Sequence, residues 1–309
     1  MSLGYSGQLY ILAFDHRGSF QKKMFGIEGD PTPEQTDTIA DAKHLIFEGL
    51  LKATEGGVDP HATGCLVDEQ FGAPKGVPQQ AKDRGLLLAM PVEKSGQNEF
   101  DFEYGEEFGA HIEQFDPDFS KVLVRYNPEG DAEMNRTQSK KLKRLADWLH
   151  EHDRKFLFEL LVPATDDQLE SVGGDSDRYD AELRPELMRR AIAEIQDYGC
   201  EVDIWKIEGV DAREDAETLA RQTRTGEGRE NVVCVLLGRG ASDEKVDHWL
   251  RIAAPVDGFV GFAIGRSIWW DALKGLLDGS LEREAAAQQI ADNYLRFIRV
   301  YEEQETAVA

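Results

Sequence analysis

Short apolar runs recur along the chain, separated by longer segments in which apolar and polar residues follow the period of a helix. The runs are almost continuously apolar, which is typical of strands buried on both faces of a parallel sheet. They predict eight strands, at residues 9–15, 64–68, 86–92, 121–126, 156–162, 202–208, 231–237 and 258–264.

The segments between the runs predict amphipathic helices. In the first long one, Thr32 stands at the N-cap position, and Ile39 and Ile46 fall on one face. The connection after Asp68 is rich in Gly and Pro, and its helix is expected to be short. The same periodicity predicts helices over 33–53, 132–152, 184–198, 212–224, 242–253, 267–277 and 281–303.

Eight strands alternating with helices are typical of a (β/α)8 TIM barrel. We therefore predict that residues 1–309 form a single barrel domain with an additional C-terminal helix. A doubly wound open sheet is the alternative architecture. The acidic segment 164–179, directly after the fifth run, is expected to form a surface loop on the rim of the site.

The composition narrows the classes of function. The chain has 35 Lys and Arg against 59 Asp and Glu, a formal net charge of −24, which argues against binding nucleic acid or an anionic membrane. Its three cysteines are widely spaced, which disfavours a disulfide framework and a thiolate metal site. No apolar run is long enough to cross a bilayer and no signal-peptide pattern is present, so we expect a cytoplasmic protein. A homo-oligomer is compatible with the sequence.

Lys206 lies within an apolar run, where a lone cation is costly to desolvate. Because side chains alternate along a strand, Lys206 and Glu208 share a face with Ile204, and Glu208 lies nearer the carboxyl end. A structural Lys–Glu pair and a reactive lysine are about equally good explanations of this residue alone.

Three further residues favour the reactive lysine. Asp15, Lys121 and Glu159 lie in other predicted strands, and they converge with Lys206 if their faces point into the barrel. A lysine attacks a carbonyl only as the free amine, which a second cation nearby favours, and carboxylates then shuttle protons. The four residues are candidate catalytic residues.

Two glycine turns follow the last two strands, and TIM barrels often bind phosphate there. One turn contains Gly238, Arg239 and Gly240, and the other contains Gly265 and Arg266, which lead into a helix. These five residues are candidate substrate-binding residues. The strand-end residues Arg17, Lys94 and Glu208 are further candidates for substrate binding.

The carboxylates of Asp15, Asp68, Glu69 and Glu208 lie at predicted strand ends and could together hold Mg²⁺. An acidic barrel mouth without a metal explains the same residues. No zinc-ligand spacing and no nucleotide-binding glycine motif is present in the sequence. We expect no metal and no other cofactor.

Seven segments occur in an order that resembles the class I aldolases of the tagatose-1,6-bisphosphate aldolase type. They also resemble a bacterial barrel domain of unknown function, found alone or fused to the 5-dehydro-2-deoxygluconokinase of inositol catabolism. WKIEG and GFAIGRSIW are the more specific of the segments. The seven are LAFDHRGSF, LVDEQFG, PVEKSG, SKVLVRYNPE, FELLVP, WKIEG and GFAIGRSIW.

The resemblance implies that Lys206 forms the Schiff base, that Glu159 transfers protons, and that Lys121 and Asp15 flank the imine. It also implies that Gly265 and Arg266 bind a substrate phosphate. The strand-seven turn departs from the Ser-Gly-Gly that is common in these aldolases, because this chain has Gly238, Arg239 and Gly240 there.

These observations predict a metal-independent lyase that cleaves a phosphorylated keto sugar or keto sugar acid and releases dihydroxyacetone phosphate. The resemblance favours 2-deoxy-5-keto-gluconate 6-phosphate, with tagatose-1,6-bisphosphate, fructose-1,6-bisphosphate and a sulfofructose phosphate as alternatives. Two other hypotheses fit the same barrel. One is a metal-dependent lyase or isomerase, and the other is a non-catalytic sugar-phosphate sensor.

Overall fold

A computed structural model describes residues 2–306, in which eight parallel strands pair in sequence order and close into a barrel. The closing pair is β1 with β8, in which Leu9 lies opposite Gly261. The TIM-barrel prediction is therefore confirmed. The strands are β1 Leu9–Ala13, β2 Thr63–Leu66, β3 Leu87–Pro91, β4 Phe119–Arg125, β5 Lys155–Leu161, β6 Ile204–Glu208, β7 Val233–Leu237 and β8 Phe259–Ile264.

Helices cover the outside of the barrel, and the predicted C-terminal helix is present. The first six are α1 Gly18–Phe25, α2 Pro33–Glu55, α3 Glu69–Gly72, α4 Val77–Asp83, α5 Phe108–Phe115 and α6 Ala132–Glu151. They are followed by α7 Asp166–Ser171, α8 Ser176–Arg178, α9 Arg184–Asp197, α10 Arg213–Thr223, α11 Asp243–Ala253, α12 Arg266–Leu277 and α13 Arg283–Thr306. Within residues 2–306, none of these helices has the length and apolarity needed to cross a membrane.

Local sequence explains where several helices begin. Thr32 caps α2 as predicted. Its hydroxyl accepts a hydrogen bond from the backbone N–H of Gln35, and the side-chain oxygen of Gln35 accepts one from the backbone N–H of Thr32. Gly49 of α2 allows close packing of α13, because a Cβ there would lie 2.4 Å from Cγ2 of Ile290. The C-terminal helix thus packs directly against the first long helix.

The strands separate two apolar layers. One layer fills the barrel interior and includes Leu9, Ile11, Phe119, Leu157 and Ile204. The other layer lies between the strands and the helices. Because side chains alternate, the interior column of each strand leads upward to its polar residues, such as Lys121 above Phe119. The faces that carry Asp15, Lys121, Glu159 and Lys206 therefore point into the barrel, which is the condition for their convergence.

Some predicted boundaries and one loop differ from the structure. Strand β1 ends at Ala13 rather than at Asp15, and β4 begins at Phe119, two residues before the predicted start. The segment 164–179 contains the short helices α7 and α8, and Thr165 starts α7 with a capping box. Helices of six and three residues are too short to show an apolar period, which is why the sequence pattern did not predict them.

Candidate active site

A cavity of about 460 Å³ opens at the carboxyl ends of the strands. Its walls come from residues that are far apart in sequence but adjacent at the barrel mouth. All twelve candidate site residues line it, namely Asp15, Arg17, Lys94, Lys121, Glu159, Lys206, Glu208, Gly238, Arg239, Gly240, Gly265 and Arg266. The structure thus brings the predicted residues into one cavity, while their individual roles stay predictions.

Lys206 and Glu159 form a buried ion pair on the cavity floor. The two residues are opposite each other in the β5–β6 pairing, and Lys206 Nζ lies 3.0 Å from Glu159 Oε2. Both side chains are buried, at 3% and 7% exposure. The same Oε2 lies 3.0 Å from Lys121 Nζ, so Glu159 joins the two lysines.

Lys121 contacts three carboxylates. Its Nζ donates to Asp15 Oδ2 at 2.8 Å and to Glu93 Oε1 at 2.9 Å, in addition to the contact with Glu159. Burial opposes its charge, but the attraction of Asp15, Glu159 and Glu93 outweighs burial and raises the Lys121 pKa well above its ordinary value. Lys121 is therefore a permanent cation of the cavity.

The carboxylates around Lys121 differ in protonation. Burial raises the pKa of Asp15 and of Glu159, but the nearby lysines outweigh burial and hold both below their ordinary values. Burial dominates at Glu93, whose pKa is raised despite Lys121 and Arg17. The cavity thus contains ionised carboxylates that accept protons and a carboxyl group more disposed to hold one.

The turn after β8 combines a closely packed glycine with an arginine. Gly265 is the N-cap of α12, and a Cβ there would lie 2.4 Å from the Ala13 carbonyl oxygen. Arg266 Nη2 donates to the Arg239 carbonyl oxygen at 3.0 Å, which holds the guanidinium at the cavity rim. Within residues 2–306, Arg266 forms no ion pair, so its charge is open to a ligand.

Arg239 is bound to carboxylates instead. Its Nε lies 3.0 Å from Glu208 Oε1, and its Nη1 donates to Asp180. The buried Arg184 also contacts Asp180, through Nε at 2.9 Å. Two carboxylates therefore compete with any ligand for Arg239, whereas Arg266 of the neighbouring turn has no such competitor within residues 2–306.

The other predicted binding residues differ in burial and in their partners. Arg17 is buried and contacts Glu93 at 3.3 Å and Glu103 at 3.0 Å. Burial raises the pKa of Glu208, although Arg184 and Arg239 lie close to it. Lys94 is exposed at the rim.

Several further residues line the cavity that were not among the predicted site residues, including Glu93, Arg125 and His16. Glu93 directly precedes Lys94 at a strand end, and Arg125 lies on the same face of its strand as Lys121. Their positions in the sequence could therefore have identified both residues. Burial lowers the pKa of His16 to about 4, which leaves its ring neutral near pH 7. Its Nδ1 lies 4.0 Å from Asp15 Oδ1 and has no hydrogen-bond partner among the described residues.

The carboxylates considered for Mg²⁺ are dispersed. Asp68 is buried in an ion pair with Lys43 of α2 and caps α3, and Glu69 accepts a hydrogen bond from His111 at 2.8 Å. Asp15 and Glu208 contact different cations on different sides of the cavity. No group of three or more His, Cys, Asp or Glu side chains within residues 2–306 is arranged to hold a metal ion.

Together, the closed barrel and the lysines and carboxylates on the cavity floor define a TIM-barrel protein with a charged cavity at the carboxyl ends of its strands. The chain belongs to the family described as an uncharacterized protein conserved in bacteria (DUF2090), whose model matches residues 4–305. Among solved structures, Cgl0159 from Corynebacterium glutamicum is similar, with a TM-score of 0.57 and 16% identity over 96% of this chain and 88% of that chain. That similarity supports the fold.

Relatives of known name belong to the enzyme family that the seven segments resemble. Tagatose 1,6-diphosphate aldolase 2 of Enterococcus faecalis is 24% identical over 88% of this chain and 82% of its own length. Tagatose 1,6-diphosphate aldolase 1 of Streptococcus pyogenes serotype M1 is 25% identical over 86% and 82%. The predicted similarity to tagatose-1,6-bisphosphate aldolases is therefore confirmed, and it supports an enzyme of the lyase type.

Proposed function

We propose that the protein is a class I aldolase that cleaves a phosphorylated keto sugar or keto sugar acid through a Schiff base on Lys206. The observation that carries the proposal is the pair of buried lysines joined by one carboxylate oxygen, Glu159 Oε2, on the floor of the cavity. The names of the curated relatives support the same reaction class.

The contacts of the two lysines support Lys206 as the nucleophile. Lys121 is held as an ammonium by Asp15, Glu93 and Glu159, and an ammonium has no lone pair with which to attack a ketone. Within residues 2–306, Lys206 has an ion pair with Glu159 alone. Glu159 is therefore the group to which Lys206 can give up the proton that must leave before the amine attacks a ketone.

The proposed reaction follows from these groups. The Lys206 amine adds to the ketone, and the carbinolamine loses water, with protons supplied from Glu159, to give a protonated imine. A carboxylate, Asp15 or Glu159, removes the proton from the hydroxyl group β to the imine. The carbon–carbon bond then breaks, an aldehyde leaves, and the electron pair moves into an enamine. Protonation of the enamine carbon and hydrolysis by water release dihydroxyacetone phosphate and the amine.

The substrate is proposed to be phosphorylated at the end that binds Gly265 and Arg266. Two features suit a phosphate group: the backbone N–H groups at the start of α12, and the Arg266 guanidinium, which forms no ion pair among the described residues. Among candidate substrates, 2-deoxy-5-keto-gluconate 6-phosphate would yield dihydroxyacetone phosphate and malonate semialdehyde. Ketose bisphosphates are the alternative class.

The test is reductive trapping. The protein is incubated with dihydroxyacetone phosphate, or with a panel of phosphorylated ketoses, and sodium borohydride is added. We expect a stable mass increase that peptide mapping assigns to Lys206, and no increase in Lys206→Ala. Lys140→Ala, a change at an exposed lysine of α6, is the matched control and should be trapped like the parent.

Capture that persists unchanged in Lys206→Ala would contradict the Schiff base on this residue. Cleavage that stops with a chelator and returns with Mg²⁺ would support a metal-dependent lyase instead. Specific binding of phosphorylated sugars without turnover across the panel would support the sensor.

A further inference from the structure

The walls of the cavity carry a charge opposite to that of the whole chain. Eight Lys and Arg line the cavity against four Asp and Glu, although the chain has a net charge of −24. Each lining carboxylate contacts a cation, as for Asp15 with Lys121 at 2.8 Å and Glu208 with Arg239 at 3.0 Å. The unbalanced charge of the cavity is therefore positive.

Four of the lining cations form no ion pair within residues 2–306. They fall at separate places on the rim, at Lys23, Lys94, Arg125 and Arg266. A phosphate monoester carries about −1.5 to −2 charges near pH 7. One phosphate at Arg266 therefore neutralises only part of the excess positive charge of the cavity. The remaining positive charge lies at the other cations of the rim.

Barrel topology places Arg125 and Arg266 on opposite sides of the mouth. Arg125 ends β4 and Arg266 follows β8, and strands four positions apart face each other across a closed barrel of eight. Lys94 follows the neighbouring strand β3. Lys206 of β6 lies on the floor between the two sides.

We propose that Arg125, with Lys94, forms a second anion subsite that selects a substrate whose aldehyde half carries a carboxylate. The inference rests on the proposed aldolase function and specifies its substrate class. With the phosphate at Arg266 and the ketone at Lys206, the carbons released as the aldehyde extend toward β3 and β4. A keto sugar acid phosphate then places its carboxylate at Arg125.

The local structure favours a carboxylate over a second phosphate. Arg125 Nη1 donates to the Gln97 carbonyl oxygen at 2.9 Å, which fixes the guanidinium and leaves its other N–H groups for a planar, bidentate partner. Strand β8 passes directly into α12, whereas the helix after β4 begins only at Ala132. Within residues 2–306, no helix N-terminus therefore follows β4 directly, and a helix N-terminus is the feature that commonly binds phosphate.

The experiment uses the synthetic direction, with dihydroxyacetone phosphate and three aldehydes. These are 3-oxopropanoate, glyceraldehyde 3-phosphate and uncharged glyceraldehyde, and kcat/KM is measured for each. We expect the parent to prefer 3-oxopropanoate. Arg125→Leu should lower kcat/KM for 3-oxopropanoate by about 10- to 100-fold, the scale of a lost charge-assisted contact, with little change for glyceraldehyde. Arg125→Lys should recover part of the preference.

Arg136→Leu, at an exposed arginine of α6 outside the cavity, is the matched control and should behave like the parent. Equal use of charged and uncharged aldehydes by the parent, or an equal loss for all three in Arg125→Leu, would overturn the subsite. An Arg125-dependent preference for glyceraldehyde 3-phosphate would overturn the carboxylate assignment. Borohydride capture of dihydroxyacetone phosphate needs no aldehyde, so its failure would count against the proposed function itself.

Discussion

Glu159 is the residue on which the chemistry of the cavity depends most, because one of its oxygens contacts both Lys121 and Lys206 at 3.0 Å. The lysines stabilise its charge against burial and keep its pKa below the ordinary value. A group in this position can take a proton from Lys206 and return it to a bound intermediate.

We predict that Glu159→Gln lowers kcat by about 10²-fold or more, the usual scale for losing an acid–base group. The amide keeps the shape of the side chain but cannot accept the proton, so KM should change much less. Steady-state cleavage kinetics measure both constants. Glu113→Gln, at an exposed position of α5, serves as the control. Parental kcat in Glu159→Gln would make Glu159 structural and assign the proton transfer to Asp15.

Arg266 is the second residue with a separable role. Arg266→Ala should raise KM for phosphorylated substrates by about 10- to 100-fold, since a hydrogen bond to a charged group is lost. Small unphosphorylated ketones should still be trapped on Lys206. Inorganic phosphate should inhibit the parent and inhibit the variant poorly. This difference should be larger at low salt, because salt screens the attraction between phosphate and an arginine at the solvent-exposed rim. Equal phosphate inhibition of both proteins would assign the anion to the turn at Arg239.

At the level of elements, barrel closure depends on how closely β1 approaches β8. Gly261 has φ of +143°, and a Cβ there would lie 2.1 Å from the Leu9 carbonyl oxygen. The closing pair therefore requires glycine, both for its backbone conformation and for space. The same pair positions Asp15 and Gly265, which follow β1 and β8 at the mouth.

Gly261→Ala should reduce the free energy of unfolding by more than about 1 kcal/mol, because alanine is forced into a glycine conformation and a backbone collision. Denaturant unfolding followed by circular dichroism measures the change. Gly279→Ala is the comparison, since Gly279 also has positive φ, +78°, but has nothing within 4 Å of the added Cβ. If Gly261→Ala lowers the free energy of unfolding no more than Gly279→Ala does, the β1–β8 pair must shift to make room for the added methyl group.

At the level of the whole molecule, the two ends of the barrel have different tasks. The carboxyl ends of the strands surround the cavity, whereas Asp203 is fully buried near the start of β6 at the other end. Asp203 accepts hydrogen bonds from the Gly4 and Phe156 amides and from Lys155, and His150 Nε2 lies 3.0 Å away. Polar residues at this end of a barrel usually serve stability.

Asp203→Asn should destabilise the protein without preventing capture on Lys206. Burial raises the Asp203 pKa, but its hydrogen bonds from His150 and Lys155 outweigh burial and hold the pKa below the ordinary value. Because the pKa is lower in the folded state, the Asp203 carboxylate contributes its full stabilisation above the unfolded-state pKa of about 3.9. That stabilisation is lost as the pH falls through the folded-state pKa. Unfolding free energies of parent and variant should therefore differ by about 2 kcal/mol at pH 7 and converge below about pH 4. A difference in unfolding free energy that does not change with pH would exclude the Asp203 charge as the cause of the destabilisation.

Much of the site could be predicted because it depends on strand periodicity. Alternation showed which apolar residues share a face with Lys206, Glu159 and Lys121, and in the structure those faces point into one cavity. Contacts between distant segments could not be predicted in this way. The pairing of Arg239 with Asp180, which lies 59 positions away, depends on how the segment before α9 packs over the mouth.

The sequence by itself determined the barrel, the order of its strands and the faces that carry the polar residues, since these follow from local periods of hydrophobicity and from chain connectivity. Only the tertiary structure decided which charges meet. It showed that Lys121 contacts three carboxylates while Lys206 contacts Glu159, and that Arg239 is paired while Arg125 and Arg266 remain unpaired within residues 2–306. Charge pairing is set by distances of a few ångströms between side chains from different strands, and no pattern along one segment encodes those distances.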